Sequence, residues 1–422
     1  MRGRAWRALL CAVAVIGLGL LGGIPAATAA SGKAAGAPVP RAAIPHAMSA
    51  LAYHRMIAQI PLDRAVTRIR AAVTRPGAGH AGFVEVWVND DRHLVTVYWH
   101  GRVPADIQRL FASLRRGIGV RVAPARYSGA QLARAVSRVL HARSGVHVTG
   151  AGPLPDGSGI VADVAGPLPG AGAQRLFGAG VAVHLVRVPP AAGNQSCVPN
   201  PGDTLSPPAR CYDLQAYWGG AVIENVTASE GCSSGFGVHS TIDGKDYMLT
   251  AGHCGNVGDT IKNGNETATL GQITHRNLNH DDAMISTLSG NAYYDGPGVL
   301  NGDTHNSKIV AGQQPTAIGD WLCVSGSRAG TICSVQVTCL NQVVTTGGFT
   351  STRVAEARFR GGGQTLPGDS GGPLFSLAAS NKVTAKGIHK GLWPDCIDGE
   401  TDDMFQTIDW VSADFSVTVN TG

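Results

Sequence analysis

In the first half of the chain, apolar positions recur at both helical and strand spacing. Residues 56–73 have helical spacing, which predicts a helix interrupted near Pro61. Residues 83–88 and 94–99 alternate apolar and polar positions around a turn at 90–91, as in a hairpin. Further helices are predicted at 104–116 and 128–141, and further elements at the strand 120–122, the hairpin turn 155–157 and the strand 181–188. This mixture predicts a small α+β domain.

The pattern changes at Trp218. From there on, short apolar runs are broken by Gly, Asn and Asp about every ten residues, with almost no helical periodicity. Such a pattern is typical of an all-β sandwich or barrel. Residues 191–216, just before the change, are rich in proline, which predicts an exposed and cleavable linker.

The N-terminus has the pattern of a secretory signal peptide. Three arginines within residues 1–7 precede an apolar run from Ala8 to Ile24, and small residues follow at 27–29. A membrane anchor is the alternative, but glycines within the run and the small residues after it favour cleavage. No later stretch approaches the ~20 apolar residues of a spanning helix. We therefore expect residues 1–30 to be removed and the rest to be secreted, with no membrane attachment.

Net charge divides the 422-residue chain into two oppositely charged parts. Residues 31–190 carry a net charge of +12, and residues 191–422 carry −10. The arginines of the first part are scattered rather than clustered with aromatic residues, which disfavours nucleic-acid binding. We expect the two parts to bind each other.

Eight cysteines remain after Cys11 is lost with the signal peptide. An even number of cysteines in an exported chain predicts disulfides. No pair has the short C-x₂-C spacing of a structural zinc site, so we expect neither a metal nor a cofactor. The eight are Cys197, Cys211, Cys232, Cys254, Cys323, Cys333, Cys339 and Cys396.

Three short motifs carry candidate chemistry. Gly-Asp-Ser-Gly-Gly-Pro at 368–373 places Ser370 on a tight turn, where its hydroxyl needs a neighbouring base to act as a nucleophile. Thr-Ala-Gly-His-Cys at 250–254 offers His253 as that base. Asp281 or the adjacent Asp282 offers an acid to orient it. The order His, Asp, Ser is one of the known orders of a hydrolytic triad.

The serine motif also satisfies G-x-S-x-G, the nucleophile motif of the α/β-hydrolases. That fold requires the acid and the histidine to follow the serine, in βα units. Only 52 residues follow Ser370, and they show no such units. Chain order therefore excludes the esterase alternative.

Together the three motifs resemble the chymotrypsin-like serine peptidases, specifically the secreted bacterial streptogrisin and α-lytic type. The resemblance covers residues 217–422 and implies an all-β double barrel divided near 300–315. The run Val-Tyr-Trp-His-Gly at 97–101 resembles prosegments found ahead of such peptidases. Residues 31–190 are accordingly expected to form an α+β prodomain that aids folding and inhibits the enzyme.

The resemblance also implies roles for individual residues. The family pattern of Asp, any residue, Ala, any residue and an aliphatic selects Asp281, since the adjacent Asp282 would point to the opposite face of a strand. The backbone N–H groups of Gly368 and Ser370 would form the oxyanion hole. Buried Asp369 would need a cationic partner, for which Arg328 is the candidate.

Substrate preference is less defined by the sequence. His389, Lys390, Gly391 and Gln364 are expected to line the pocket for the residue before the cleaved bond. A histidine at position 389 resembles glutamyl-specific members of the family. Lys390 replaces the usual small residue, and the cysteine expected before the oxyanion loop is absent. No acidic residue stands there to bind Lys or Arg, so an acidic preference and a small or apolar preference stay open.

The resemblance implies that Cys232 pairs with Cys254, and we also expect the pairs Cys197–Cys211 and Cys323–Cys333. Elimination leaves Cys339–Cys396, whose spacing matches no familiar pairing. The sequence thus predicts a secreted serine endopeptidase, made as a zymogen, that acts on proteins or peptides. A catalytically silent binding protein on the same fold is the alternative, although all three motifs are intact.

Overall fold

A computed structural model describes residues 48–75, 80–142, 145–168, 177–188, 209–299, 306–379 and 381–422. The predicted signal peptide, most of the predicted linker and Cys197 lie outside these ranges. Within them, none of the helices has both the length and the apolar character needed to cross a membrane.

The N-terminal region, residues 48–188, contains three helices and six strands. Its three-stranded sheet pairs β1 with β2 antiparallel and β2 with β3 parallel, and a second sheet adds β6 parallel to β5. The α+β expectation thus matches these elements. In chain order they are α1 (Ala50–Val73), β1 (Phe83–Asn89), β2 (Leu94–Trp99), α2 (Ala105–Leu114), β3 (Gly119–Pro124), α3 (Gly129–Leu140), β4 (Val148–Pro153), β5 (Gly159–Val164) and β6 (Ala182–Arg187).

Helix α1 is longer than predicted and continues through Pro61. The side chain of Ser49 accepts a hydrogen bond from the Ala52 N–H, so the helix begins at Ala50, nearly two turns before the predicted start at residue 56. The two ends of α1 pack against different cores: Met56 joins a cluster of the C-terminal region, and Ile69 packs on β1–β3. Burial of both ends stabilises the helix despite the hydrogen bond that proline cannot donate.

The C-terminal region, residues 209–422, is built almost entirely of strands. It includes a long β-hairpin, formed by β18 and β19, and a short helix, α4, near the C-terminus. The elements are β7 (Tyr217–Gly219), β8 (Val222–Asn225), β9 (Glu230–Ser233), β10 (Gly237–Ser240), β11 (Asp246–Ala251), β12 (Thr260–Asn263), β13 (Thr269–Asn277), β14 (Asp282–Ser286), β15 (Ser289–Tyr294), β16 (Ser307–Gln313), β17 (Trp321–Gly326), β18 (Gly330–Thr346), β19 (Phe349–Phe359), β20 (Pro373–Ala379), β21 (Lys382–Pro394), β22 (Thr401–Thr407), α4 (Ile408–Phe415) and β23 (Val417–Val419).

These strands form two sheets that share a hydrophobic cluster, in which Leu249 of the first packs with Phe375 of the second. The first has the order β23-β10-β11-β14-β13-β12-β8-β9, and the second contains β15 to β22 together with β7. Strand β15, which precedes the predicted division near 300–315, thus belongs to the second sheet. The all-β, two-barrel expectation agrees with this arrangement, which places the 250–254 and 281–282 segments on the first sheet and the 368–373 turn beside the second.

The second sheet extends into the N-terminal region. Strand β4 pairs antiparallel with β18, opposing Ala151 to Val343 and Gly150 to Val344. On α1, Gln59 accepts a hydrogen bond from the Trp321 N–H at 2.6 Å, and Asp63 lies 3.1 Å from the ammonium of Lys386. In this ion pair the acid belongs to the N-terminal region, whose net charge is positive, and the base to the C-terminal region, whose net charge is negative. The expected attraction between the net charges of +12 and −10 therefore does not explain this contact.

Residues 209–216, predicted as linker, are integral to the C-terminal region. Arg210 is fully buried, and Asp213 accepts hydrogen bonds from the Trp218 N–H and the Tyr294 hydroxyl, both at 2.9 Å. Proline content indicated an exposed segment, but these two charged side chains bind it to the barrel. The Arg210 guanidinium donates to the carbonyls of Gly220, Tyr294, Gly296, Pro297 and Gly326.

Three of the four predicted disulfides lie within the described ranges. Cys232 bonds to Cys254, Cys323 to Cys333 and Cys339 to Cys396. The fourth predicted pair includes Cys197, which is outside those ranges.

Candidate active site

His253 is held at the end of strand β11 on a short 3₁₀ turn. The disulfide of its neighbour Cys254 anchors this turn to β9. A side chain at Gly252 would meet the backbone of Asp281 at 2.9 Å, so glycine is needed for the two segments to approach. The imidazole is 30% exposed and stacks on Phe349 at the tip of the β18–β19 hairpin, with ring centroids 6.5 Å apart.

Asp281, not Asp282, contacts this imidazole. One carboxylate oxygen of Asp281 lies 3.0 Å from His253 Nδ1, and the other accepts the His253 backbone N–H at 2.7 Å. Burial acts to raise the pKa of Asp281, but the charge of His253 and its hydrogen bonds hold that pKa below its ordinary value. The carboxylate is therefore ionised and fixed against the ring.

Asp282 is the first residue of β14, whereas Asp281 precedes the strand with a left-handed φ of +54°. Strand alternation, on which the choice between the two acids was based, therefore does not apply to this pair. Asp282 is fully buried, and burial first, and then the nearby Asp414, raise its pKa well above the ordinary value. The pKa values of the two adjacent acids are thus shifted in opposite directions.

Ser370 lies on the turn before β20, against the loop that carries His253. Its carbonyl accepts the Ser233 N–H at 2.7 Å and lies 3.8 Å from the sulfur of Cys254. Its hydroxyl donates to the carbonyl of Lys390 at 3.2 Å. The hydrogen bond between a catalytic hydroxyl and its base often tightens only when substrate is bound.

The backbone before the serine is fixed from both sides. Gly368 has φ of +97°, which favours glycine, and its carbonyl accepts the Ser233 hydroxyl at 2.9 Å. The N–H groups of Gly368 and Ser370 donate to no other residue in the described ranges. Two uncommitted donors therefore remain on the turn that carries the hydroxyl.

Asp369 is held by three backbone donors. Its oxygens accept the N–H groups of Leu366 and Arg328, each at 2.7 Å, and of Ala329 at 3.2 Å. Burial raises the pKa of Asp369 despite these bonds. Arg328 therefore contributes a backbone donor in addition to the electrostatic role expected for its guanidinium.

The four expected pocket residues differ in their placement. His389 is buried, with Nδ1 2.6 Å from an oxygen of Asp403, although the angle between them falls outside that of a hydrogen bond. Gln364 is exposed and Gly391 is half-buried. Lys390 is buried, and its ammonium donates to Gln406 Oε1 at 3.2 Å.

Lys390 therefore does not line the pocket as predicted. The pairing of β21 with β22 is irregular between His389 and Gly391, so the strand bulges at Lys390, whose ammonium is buried against His280 and Gln406. Sequence reasoning also missed Asp403 as the partner of His389. Its only signal was a pair of adjacent acids beside the apolar Met404-Phe405, where a strand would bury one of them.

Two groups of side chains in the described ranges have metal-ligand proximity: Cys232 with His253 and Cys254, and Cys339 with Glu356 and Cys396. Both include two disulfide-bonded sulfurs, which lack the thiolates that bind zinc. We assign no metal to either group.

Comparison with known proteins gives consistent matches to bacterial serine proteases. The chain is 32% identical over 171 residues to Serine protease 2 of Streptomyces fradiae, covering 40% of this chain and 91% of that protein. It is 32% identical to Streptogrisin-C of Streptomyces griseus over 167 residues and 31% identical to Streptogrisin-A over 176. The matched parts span 33% and 52% of those two relatives. No family model matches.

Among solved structures, the Nocardiopsis protease NAPase matches at 23% identity and a TM-score of 0.39, covering 48% of this chain and 98% of that one. The chymotrypsin of Cellulomonas bogoriensis matches at 26% identity and a TM-score of 0.38, covering 49% of this chain and 98% of that one.

Proposed function

The chain belongs to the chymotrypsin-like serine peptidases, the family of the streptogrisins, and we propose that it hydrolyses peptide bonds through Ser370, His253 and Asp281. The observation that carries these roles is the ionised carboxylate of Asp281, 3.0 Å from His253 Nδ1. It holds the ring so that Nε2 is the nitrogen available to the serine loop.

In the proposed reaction the Ser370 hydroxyl rotates from the Lys390 carbonyl toward His253 Nε2. The oxygen attacks the scissile carbonyl carbon while the imidazole takes its proton. The N–H groups of Gly368 and Ser370 stabilise the resulting oxyanion, and loss of one such donor costs roughly 10²–10³ in rate. The imidazolium then protonates the leaving amine. Water, activated by the same imidazole, hydrolyses the acyl-enzyme and restores the serine.

We further propose that the N-terminal region is a propeptide and that the chain is exported as a zymogen. Support comes from β4, which adds to β18 of the hairpin whose tip contacts His253, and from α1, whose Met56 joins the C-terminal core. We propose that cleavage falls ahead of Ala209, because Arg210 and the residues up to 216 are built into the barrel. Removal of the propeptide would uncover both contacts.

We propose an acidic preference for the residue before the cleaved bond, read by His389. Burial acts to lower its pKa, but Asp403 and then Asp369 hold the pKa of His389 above its ordinary value, which favours the cation that a substrate carboxylate needs. The test is kcat/KM on matched peptides ending in Glu, Leu and Lys, for wild type and His389→Ala. If wild type prefers Leu, or if the substitution leaves the Glu-to-Leu ratio unchanged, His389 does not read the substrate.

The test of the peptidase function is expression of wild type and Ser370→Ala as full chains. Wild type should release its propeptide, cleave peptides and react with a fluorophosphonate, and Ser370→Ala should do none of these while still being exported. A wild-type protein that is folded but neither cleaves nor reacts would be the catalytically silent binding homologue. Peptidase activity of Ser370→Ala within tenfold of wild type would assign another nucleophile.

A further inference from the structure

Lys390 is a buried cation that contacts two parts of the site at once. It is 3% exposed. Its carbonyl accepts the Ser370 hydroxyl at 3.2 Å. Its ammonium donates to the carbonyl of His280, the residue before Asp281, and to Gln406 Oε1 at 3.2 Å. One residue thus bridges the nucleophile and the segment that carries the orienting acid.

The segment that the ammonium binds is strained. Asp281 has φ of +54°, in the left-handed region that non-glycine residues seldom adopt. The peptide between His280 and Asp281 must therefore be held by its surroundings. The Lys390 ammonium on the His280 carbonyl is one such constraint, and the two hydrogen bonds from His253 to the Asp281 carboxylate are another.

The charges around Lys390 are balanced by carboxylates. Burial lowers the pKa of Lys390, against the opposing effect of Asp281, Asp282 and Asp414. Asp414 also lies 2.6 Å from His280 Nδ1. A buried ammonium persists as a cation only with such partners. The charged or titratable groups packed around Lys390 and His253 are Asp281 and Asp282 on the β13–β14 side, His280 on the same turn, Asp414 on α4 and Arg276 on β13.

We propose that Lys390 is a positioning residue that holds Asp281 and Ser370 in register. The inference rests on the proposed peptidase function. The ammonium fixes the His280 carbonyl, and with it the left-handed backbone of Asp281, while the carbonyl of the same residue lies against the Ser370 hydroxyl. Loss of the ammonium would release the turn that carries the orienting acid, so catalysis would fall more than substrate binding.

The test compares three substitutions at this position. Lys390→Met removes the charge and the hydrogen bonds, Lys390→Gln removes the charge but keeps an amide donor, and Lys390→Arg keeps the charge. Lys382→Met, at an exposed position of the same strand, is the matched control. For each processed enzyme, kcat and KM are measured separately on the same peptide, with fluorophosphonate titration to count active sites.

We expect Lys390→Met and Lys390→Gln to lower kcat by on the order of ten- to a hundredfold with KM little changed, because a displaced orienting acid misplaces the catalytic groups. Lys390→Arg should recover most of the wild-type kcat, because its side chain can still donate to the His280 carbonyl, and Lys382→Met should match wild type throughout. A wild-type kcat in the Gln variant, or a loss confined to KM, would overturn the inference. If Lys390→Met does not fold, Lys390→Gln provides the test. A wild-type protein that neither cleaves nor labels would instead refute the peptidase function itself.

Discussion

If the N-terminal region is the proposed propeptide, Asp63 on helix α1 should make its affinity for the C-terminal region depend on pH. Its carboxylate lies 3.1 Å from the Lys386 ammonium, which is also 3.0 Å from Asp320, and all three groups are buried. Burial first, and then the charge of Asp320, raise the pKa of Asp63 from 3.8 to about 7. One ammonium faces two carboxylates, so a proton on Asp63 relieves the excess negative charge.

The direction and size of the effect follow from linkage. Because the pKa is raised in the complex, the stabilisation is complete below the free value of 3.8 and is lost as the pH rises through about 7. Between those values, affinity falls about tenfold per pH unit, or roughly 10³ in total. Asp163, which accepts the indole N–H of Trp393 at 2.9 Å, adds to this trend, since burial raises its pKa from 3.8 to about 6.

The perturbation is Asp63→Asn, which mimics the protonated acid. The assay is titration calorimetry of the propeptide with a Ser370→Ala peptidase domain between pH 4.5 and 8, in two buffers of different ionisation enthalpy. Wild type should take up protons on binding at pH 5.5 and bind more weakly at pH 7.5. The Asn variant should take up about one proton fewer, by linkage, and bind with a shallower pH slope. An affinity that rises with pH, or equal slopes for the two proteins, would refute the reasoning.

Three further predictions, two of them with a matched control substitution, test other parts of the structure. By kinetics, Asp281→Asn should lower kcat by about 10⁴ and Asp282→Asn far less, because only Asp281 orients the imidazole; equal losses would contradict this assignment. Lys386→Met, made in the unprocessed Ser370→Ala chain, should lower the free energy of unfolding by about 3–5 kcal/mol, because it leaves buried carboxylates unpaired. Urea unfolding at pH 8 measures this, and an unchanged midpoint would argue against a structural role for Lys386. Gly371→Ala should abolish fluorophosphonate labelling, since its Cβ would lie 2.2 Å from a carbonyl oxygen at φ of +93°, whereas Gly312→Ala, with nothing within 4 Å, should label normally.

Local signals predicted the elements whose causes are local. Helix α3 begins at the capping box of Ser128 and Gln131, and α2 begins after Pro104, both within one or two residues of the predicted bounds. Motif spacing likewise singled out His253 and Ser370. These signals consist of residues close together in the chain, so a single sequence is enough to find them.

Other features depend on contacts distant in the chain. The continuity of α1 through Pro61 depends on a core that its N-terminal half shares with the other region, which periodicity cannot reveal. The direction of Lys390 depends on the irregular pairing of β21 with β22 between His389 and Gly391, which the apolar pattern of the strand does not show. The pairing of His389 with Asp403 depends on the register of β21 with β22. Each needs the fold before it can be stated.

The most direct test of the central claim is mass spectrometric mapping of a fluorophosphonate adduct on the processed wild-type protein. We predict a single adduct on Ser370, with loss of peptidase activity in proportion to labelling, and no adduct when His253 is replaced by Ala. An adduct on another residue, or activity that survives complete labelling of Ser370, would contradict the assignment of Ser370 as nucleophile.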